Sequence, residues 1–352
     1  MGILFTLLIT SFLVLFIAHV VFLGVNVFFW ALNGLDYVIE GNSFIEIIYY
    51  STYLKWLGLF DLIWFSFLAI FLIKRKQYKT DSNLHYLEKN SSREPKICVI
   101  IPTFNEEQIV KSVIDDYSNQ KNINEIIVID NNSSDKTVEI AESCKARVIK
   151  KESNKGLADS VIMGLDEFLK SDSNIVTITE CDGTFSGYDL EKMILYLDNC
   201  DMVIGTRQVQ VLTEKGNQNS MFYVWGNYIL AKLIQIKYFS LSNLGIVELT
   251  DVGCLYRCIR KEAIEKIKFE LLDKDAKKIR NNPNSGLIAN FLTMIGIENN
   301  LKIVEIPITF KKRIGVSKTG ANKKLKAISY GLQFFWFILT KFFFPKSNCV
   351  SR

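Results

Sequence analysis

Lys96–Glu106 reads KICVIIPTFNE, and its reading decides the fold. Ile97–Ile101 is short, apolar and largely β-branched, the composition of a strand buried on both faces. Cys98 within it is expected to serve as a small core residue. Pro102 has no N–H to give a sheet, so the strand is expected to stop there. Thr103, Asn105 and Glu106 then set polar groups at its carboxyl end, ahead of a helical pattern that begins near Glu107. In open parallel α/β sheets, ligands bind in that crevice. The stretch therefore reads as the start of a nucleotide-binding sheet.

The chain downstream repeats the pattern. Strands are expected at Glu125–Asp130, Ala146–Lys150, Asn174–Glu180 and Asp201–Gly205. Helical spacing lies between them at Glu107–Gln120, Asp135–Lys145, Leu157–Lys170 and Tyr188–Leu197. This alternation predicts βαβ units and a mainly parallel sheet. After Gly205 it lapses. Phe222–Tyr238 is an aromatic helical stretch carrying Lys232 and Lys237, either a packing helix or one lying near a membrane. Ile303–Phe310 reads as a late strand.

The flanks are of another kind. Apolar residues make up 49% of the chain, and they concentrate before Lys74 and after Ala327. Ile3–Trp30 has no formal charge and is long enough to cross a bilayer, which takes about 20 residues. It lacks a basic leader, which argues against a signal peptide. Leu54–Ile73 is a second span, followed at once by Lys74-Arg75-Lys76, which places the next domain in the cytoplasm. Asp61 in that span is expected at the interface rather than in the bilayer interior. Gln77–Pro95 reads as a polar linker. Lys323–Lys346 opens with a basic cluster and continues as an aromatic stretch, which suits an interfacial helix better than a third span. The expected organisation is a transmembrane hairpin over 1–76 (spans about 3–30 and 54–73), a linker over 77–95, an α/β domain over 96–318 and a membrane-associated tail over 319–352.

Composition excludes several function classes. A net charge of +5 on 352 residues does not call for nucleic acid. The seven cysteines are scattered with no CxxC pair, which disfavours a disulfide framework or a zinc site. Only His19 and His85 occur, one in an apolar span and one in the linker, so histidine-based catalysis is not expected.

Two further blocks carry chemistry. EIIVIDNNSSDKT (Glu125–Thr137) ends a buried strand at Asp130, where an acid can hydrogen-bond a nucleotide base or ribose. Asp135 reads as a helix cap. NIVTITECDGTFS (Asn174–Ser186) ends another strand in Glu180 and Asp182, one residue apart. Such a pair can hold a hard divalent cation together with substrate phosphates; the plain alternative is a solvated acidic turn before Gly183.

In order and spacing these blocks resemble the family 2 glycosyltransferases of GT-A fold. IIPTFNEE is similar to that family's PxYNEE, VIDNNSSDKT to DDGSxDxT, KGLADSVIMGL (Lys155–Leu165) to KGxGxAxxxG, TECDG to DADG, and VIGTR to VIGSR. TDVGCLYRCIRK (Thr250–Lys261) resembles DxxCGFRxFRR, and IVEIPITFKKRIGVSK resembles EIPVxYxxRxGxSK. The resemblance covers about Lys96–Lys318. Its last motifs point within the family to the polyprenyl-phosphate mannosyl- and glucosyltransferases, dolichol-phosphate synthases among them.

The resemblance implies a donor pocket for a UDP- or GDP-hexose lined by Pro102, Thr103, Asn105 and Glu106, with Asp130 on the base or ribose and Lys155 either near the nucleotide or capping its helix. It implies Mg²⁺ or Mn²⁺ on Asp182 with Glu180. Arg207, Arg257, Arg313 and Lys318 are the cations in motif positions, and Arg313, Ser317, Lys318 and Arg257 would meet an acceptor phosphate. Asp251 would be the base for a hydroxyl acceptor, or would orient an arginine if the acceptor is a phosphate. Three positions depart from the family: Thr103 for an aromatic residue, Asn131 for the second Asp, and Glu180 for the first metal Asp. The implied activity is inverting transfer to a polyprenyl phosphate from an integral membrane protein of the cell membrane or an endoplasmic-reticulum-like membrane, in contact with membrane lipid. Transfer to a glycolipid or polysaccharide hydroxyl, and donor binding without turnover, stand beside it. Self-association into a homo-oligomer is left open.

Overall fold

The computed structural model describes residues 2–39, 51–74, 94–214, 221–239, 247–281, 286–314 and 324–341. The chain divides into two compact units, 1–77 with 339–352, and 78–338.

The first unit contains α1 (Gly2–Ile39) and α2 (Thr52–Lys74), each longer than its apolar run suggested. Ile3–Phe29 and Thr52–Lys74 hold 27 and 23 strongly apolar residues. At a rise of ~1.5 Å per residue they reach about 40 and 35 Å, against a hydrocarbon thickness of ~30 Å. Val14, Ile17 and Val21 of α1 and Leu62 and Phe65 of α2 are all exposed. A helix apolar all round and uncovered by protein is at home in lipid. Inside the pair, the Trp64 Nε1–H donates to the Leu8 carbonyl at 2.9 Å, and the Phe12 and Trp64 rings stand 5.4 Å apart. Asp61 lies near the middle of α2, where its Oδ2 is 3.1 Å from His19 Nε2. The sequence placed it at the interface; a partner across the hairpin removes that need. Arg75 and Lys76, which carried the orientation argument, lie outside the described residues, as does most of the linker.

The second unit is a seven-stranded sheet flanked by helices. In chain order its described elements are β1 (Ile97–Thr103), α3 (Val110–Ser118), β2 (Ile123–Asp130), α4 (Thr137–Ser143), β3 (Arg147–Lys150), α5 (Leu157–Lys170), β4 (Ile175–Ile178), α6 (Asp189–Tyr196), β5 (Met202–Thr206), α7 (Met221–Lys237), β6 (Arg257–Arg260), α8 (Lys261–Ile267), α9 (Lys274–Arg280), α10 (Leu287–Glu298), β7 (Ile303–Pro307) and α11 (Lys324–Thr340). The strand order is β3-β2-β1-β4-β6-β5-β7. Only β6 runs antiparallel to its neighbours. This is the mainly parallel α/β architecture expected from the alternation; of the strands expected before Gly205, β1 and β2 run longer, β3 and β4 are trimmed and β5 is shifted by one residue.

Pro102 does not end β1. Pairing with β4 stops at Ile100↔Ile178, while pairing with β2 continues to Thr103↔Asp130. The carbonyls of Ile100 and Thr103 accept from Thr179 and Asn131 respectively, so alternate residues face alternate neighbours. Pro102 therefore turns its missing donor toward the side where the ladder with β4 is already over, and nothing is lost.

One face of the sheet packs Val99, Ile101 and Val128 against Val110, Ile114 and Tyr117 of α3 and Leu190 and Met193 of α6. On the other, α5 crosses β1 so closely that a Cβ at Gly164 would stand 2.5 Å from Ile100 Cγ2. The sequence did not reveal β6, α8, α9 or α10. β6 is only RCIR, and every residue of α10 is buried, which removes the amphipathic period that marks a surface helix. β6 enters antiparallel, so the segment before it joins the carboxyl ends of β1, β2, β4, β5 and β7 at one edge.

Candidate active site

At that edge the loops after β1 and β2 lock into each other. The Asn105 N–H donates to Ser133 Oγ (2.9 Å), and Asn105 Oδ1 accepts from the Ser134 N–H (2.8 Å). The Glu106 N–H donates to Thr137 Oγ1 at 2.8 Å. Asp135 accepts from the backbone of Glu107 and of Thr137. Burial pushes its carboxyl up, but the hydrogen bonds from Thr137 and Glu107 win and hold it below its ordinary value. It is a tie between two loops rather than the helix cap expected, because the cap position of α4 falls one residue later, on Lys136. Asn105 and Asn132 have φ of +52° and +67°, a conformation asparagine tolerates better than most residues.

Pro102, Thr103 and Asp130 are buried at the floor of this end. Both carboxylate oxygens of Asp130 face the Ser133 N–H, at 3.1 and 3.3 Å. Glu106 is half-buried and Lys155 exposed. Asn131 spends its whole amide on the next loop: Nδ2 donates to Asn154 Oδ1 (2.5 Å) and Oδ1 accepts from the Lys155 N–H (3.1 Å). An aspartate there could not make the first of these bonds.

The acidic pair follows β4. Asp182 is buried, and its Oδ1 accepts from Thr184 N–H (3.0 Å) and Oγ1 (2.6 Å). The turn needs Gly183, whose φ is +73°. Asp182 Oδ2 takes no hydrogen bond. It faces Arg313 Nη2 at 2.5 Å in a charge contact without hydrogen-bond angles, and the same nitrogen lies 3.5 Å from Glu180 Oε2. Burial and the neighbouring Asp182 push the Glu180 carboxyl up to about 8, against the pull of Arg313 and Arg207. A buried carboxylate oxygen with an unused lone pair beside a second carboxylate suits a hard cation. Among the described residues no cluster of three His, Cys, Asp or Glu completes such a site. The remaining positions would fall to donor phosphates and water, as is usual for Mg²⁺.

The cations separate into two groups. Arg207 is bound by Asp251, with Nε 2.6 Å from Oδ2 and Nη2 2.8 Å from Oδ1, and its guanidinium lies over the Phe310 ring at 5.2 Å. Burial would raise the Asp251 carboxyl, but Arg207 holds it below its ordinary value. A carboxylate committed this way is a poor proton acceptor, so the general-base role is withdrawn and the arginine-orienting role fits. Arg257 also needs correction. It is 1% exposed, donates to the Cys254 carbonyl at 2.7 Å, and burial pulls its guanidinium down to about 10. It sits in the core and cannot meet an acceptor phosphate. Ser317 and Lys318 lie outside the described residues.

Glu305 of β7 is a residue the sequence reading passed over. Its Oε2 accepts from Thr250 N–H and Oγ1, both at 2.7 Å, and its Oε1 from the Asp251 N–H at 3.0 Å. It thereby fixes the loop that fixes Arg207. The signal was visible as an acid inside the strand-like IVEIP. A cavity of about 320 Å³ is lined by Glu180, Arg207 and Arg313 together with Phe222, Tyr223 and Leu230 of α7 and Ile328 and Phe334 of α11. A larger one, about 460 Å³, opens beside Ile97 and Ile175, at the amino ends of β1 and β4, and none of the candidate site residues lines it. The smaller cavity is the one that holds chemistry.

Residues 98–268 match the family model described as Glycosyl transferase family 2. Polyprenol monophosphomannose synthase of Mycolicibacterium smegmatis is 27% identical over 233 residues, covering 64% of this chain and 81% of that protein. Protein RfbJ of Shigella flexneri is 33% identical over 130 residues, 35% of this chain and 91% of that protein. The UDP-N-acetylglucosamine--dolichyl-phosphate N-acetylglucosaminyltransferase of Methanococcus voltae is 28% identical over 181 residues, 43% and 72% of the two chains.

Proposed function

The chain belongs to glycosyl transferase family 2, and from that premise we propose that it transfers a sugar from a nucleotide-sugar donor to a polyprenyl phosphate on the cytoplasmic face of a membrane. The observation that carries this is the cavity that combines Arg207 and Arg313 with the apolar and aromatic walls of α7 and α11. A phosphate on a hydrocarbon tail needs both. Arginine suits phosphate because its planar fork can make two parallel hydrogen bonds. Relatives named for polyprenol and dolichyl phosphates support the same acceptor, and the two exposed apolar helices support a membrane setting.

In this reading Pro102, Thr103, Asn105, Glu106, Asp130 and Lys155 hold the nucleoside of a UDP- or GDP-hexose. Asp182 and Glu180 hold Mg²⁺ or Mn²⁺, which when bound offsets the charge that develops on the departing diphosphate. Asp251 and Glu305 keep Arg207 aimed. Arg313, with Ser317 and Lys318, receives the acceptor phosphate. That oxygen is already ionised near neutral pH, so the acceptor needs no base, which accords with two histidines in the whole chain. Attack from the face opposite the departing diphosphate inverts the sugar carbon. We assign the catalytic domain to 96–318, the membrane hairpin to 1–76, and a membrane-associated tail to 319–352.

The test is to incubate membranes carrying the protein with polyprenyl phosphate, Mg²⁺ or Mn²⁺, and a panel of labelled nucleotide sugars. Label is expected in a lipid cleaved by mild acid. Label confined to alkali-stable glycolipid or polymer overturns the proposal.

A further inference from the structure

We infer that the Arg313 guanidinium and a divalent cation exclude each other at Asp182 Oδ2, so that metal loading drives Arg313 off the acidic pair and into the cavity. The inference rests on the proposed metal role of Asp182 and Glu180, and it adds an order to the binding events.

Asp182 has one oxygen to offer. Oδ1 is spent on the Thr184 N–H and hydroxyl, and the residue is buried, so Oδ2 is the only approach. Arg313 Nη2 takes that approach at 2.5 Å and lies 3.5 Å from Glu180 Oε2. Here one positive charge lies against both acidic side chains, which is the place and the task of a bound cation. Two cations cannot share it, since like charges a few ångströms apart in a partly buried site repel strongly. Without such a counter-charge, two neighbouring acids would be costly to bury.

The exchange needs no backbone movement. The Ile314 N–H donates to the Asp182 carbonyl at 3.1 Å and the Lys311 N–H to the Thr184 carbonyl at 2.8 Å. These bonds moor the residues on either side of Arg313 to the acidic turn, so a change of partner falls to its long side chain. Arg313 already lines the cavity beside Arg207. A guanidinium released from the acids thus joins a second arginine where the acceptor phosphate is proposed to bind. Metal with donor comes first, and the phosphate site is completed only afterwards.

The experiment measures Mn²⁺ binding by electron paramagnetic resonance on the full-length protein in detergent, without donor or acceptor. Arg313→Gln is expected to bind Mn²⁺ at least about tenfold more tightly than wild type. Asp182→Asn should remove the site in either background. Arg313→Lys, which keeps the charge and loses the fork, should fall between the two and serves if the Gln variant does not fold. Binding by Arg313→Gln that is equal to or weaker than wild type overturns the inference, as does the absence of a saturable Mn²⁺ site in both proteins. No lipid is present, so failure of transfer to polyprenyl phosphate alongside tighter Mn²⁺ binding would sink the acceptor proposal alone.

Discussion

The loops after β1 and β2 hold each other through backbone N–H groups and short polar side chains, with Asn105, Ser133, Thr137 and Asp135 exchanging bonds across 28 to 31 residues. The cationic wall of the cavity is built from charges farther apart in the chain: Arg207 and Asp251 are separated by 44 positions, Arg313 and Glu180 by 133. The two constructions respond differently to a ligand. A backbone donor satisfied by a fixed acceptor has no second partner of similar energy within reach. An ion pair has one whenever another charge arrives. In the proposed reading the donor end is thus preformed, and the acceptor end is the one able to change partners.

The sharpest way to break this contrast is at the acidic turn. Asp182→Ala is expected to lower sugar transfer by about 10²–10³-fold, the scale set by losing a preorganised charge-stabilising group. Retained full activity in the labelled-lipid assay would take Asp182 out of the site. Next comes the fixed ion pair. Asp251→Ala leaves the half-buried Arg207 without its partner and should cost about 3 kcal/mol of stability, read by thermal or urea unfolding. If stability holds while transfer falls, the pair serves the reaction alone.

At the donor end the expected effects are smaller, because the network shares the loss. Asn131→Asp restores the residue common in the family yet cannot donate to Asn154 Oδ1. It should destabilise by about 1 kcal/mol and raise the donor KM several-fold with kcat little changed. Smallest is a pH effect at Glu305. Burial raises its carboxyl to about 7 from 4.5, against the hydrogen bonds from Thr250 and Asp251. The folded chain therefore keeps a proton that the unfolded chain gives up. The stability this supplies is full below pH 4.5 and is lost as pH rises through about 7. Glu305→Gln removes the titration, so the fall in Tm between pH 5 and pH 8 should shrink by roughly 2–4 °C relative to wild type.

Much of the donor end was legible because it is local. Ile97–Ile101, Glu125–Asp130 and Asn174–Glu180 each announce a buried strand that ends in polar residues, and parallel pairing brings those ends together. The cationic end was legible only as a set of motif positions. Nothing in TDVGCLYRCIRK tells Arg257 from Arg207 as a ligand. Arg257 turns into the core because it sits within an antiparallel strand inserted between β4 and β5, and that insertion breaks the sequential order a reader of the chain relies on. Glu305 was hidden for a related reason, since its partners lie 54 and 55 residues earlier.

The contact between His19 and Asp61 bears on how the chain enters its membrane. The imidazole faces two acceptors, the Leu15 carbonyl at 2.8 Å and the Asp61 carboxylate at 3.1 Å. The Asp61 side chain thus has a polar partner inside the hairpin. Inserted alone, a central aspartate costs a helix about 2.5–3.5 kcal/mol. α2 is thus a poor passenger by itself and a good one beside α1, and the hairpin has reason to be delivered to the bilayer as one package, first helix waiting for the second.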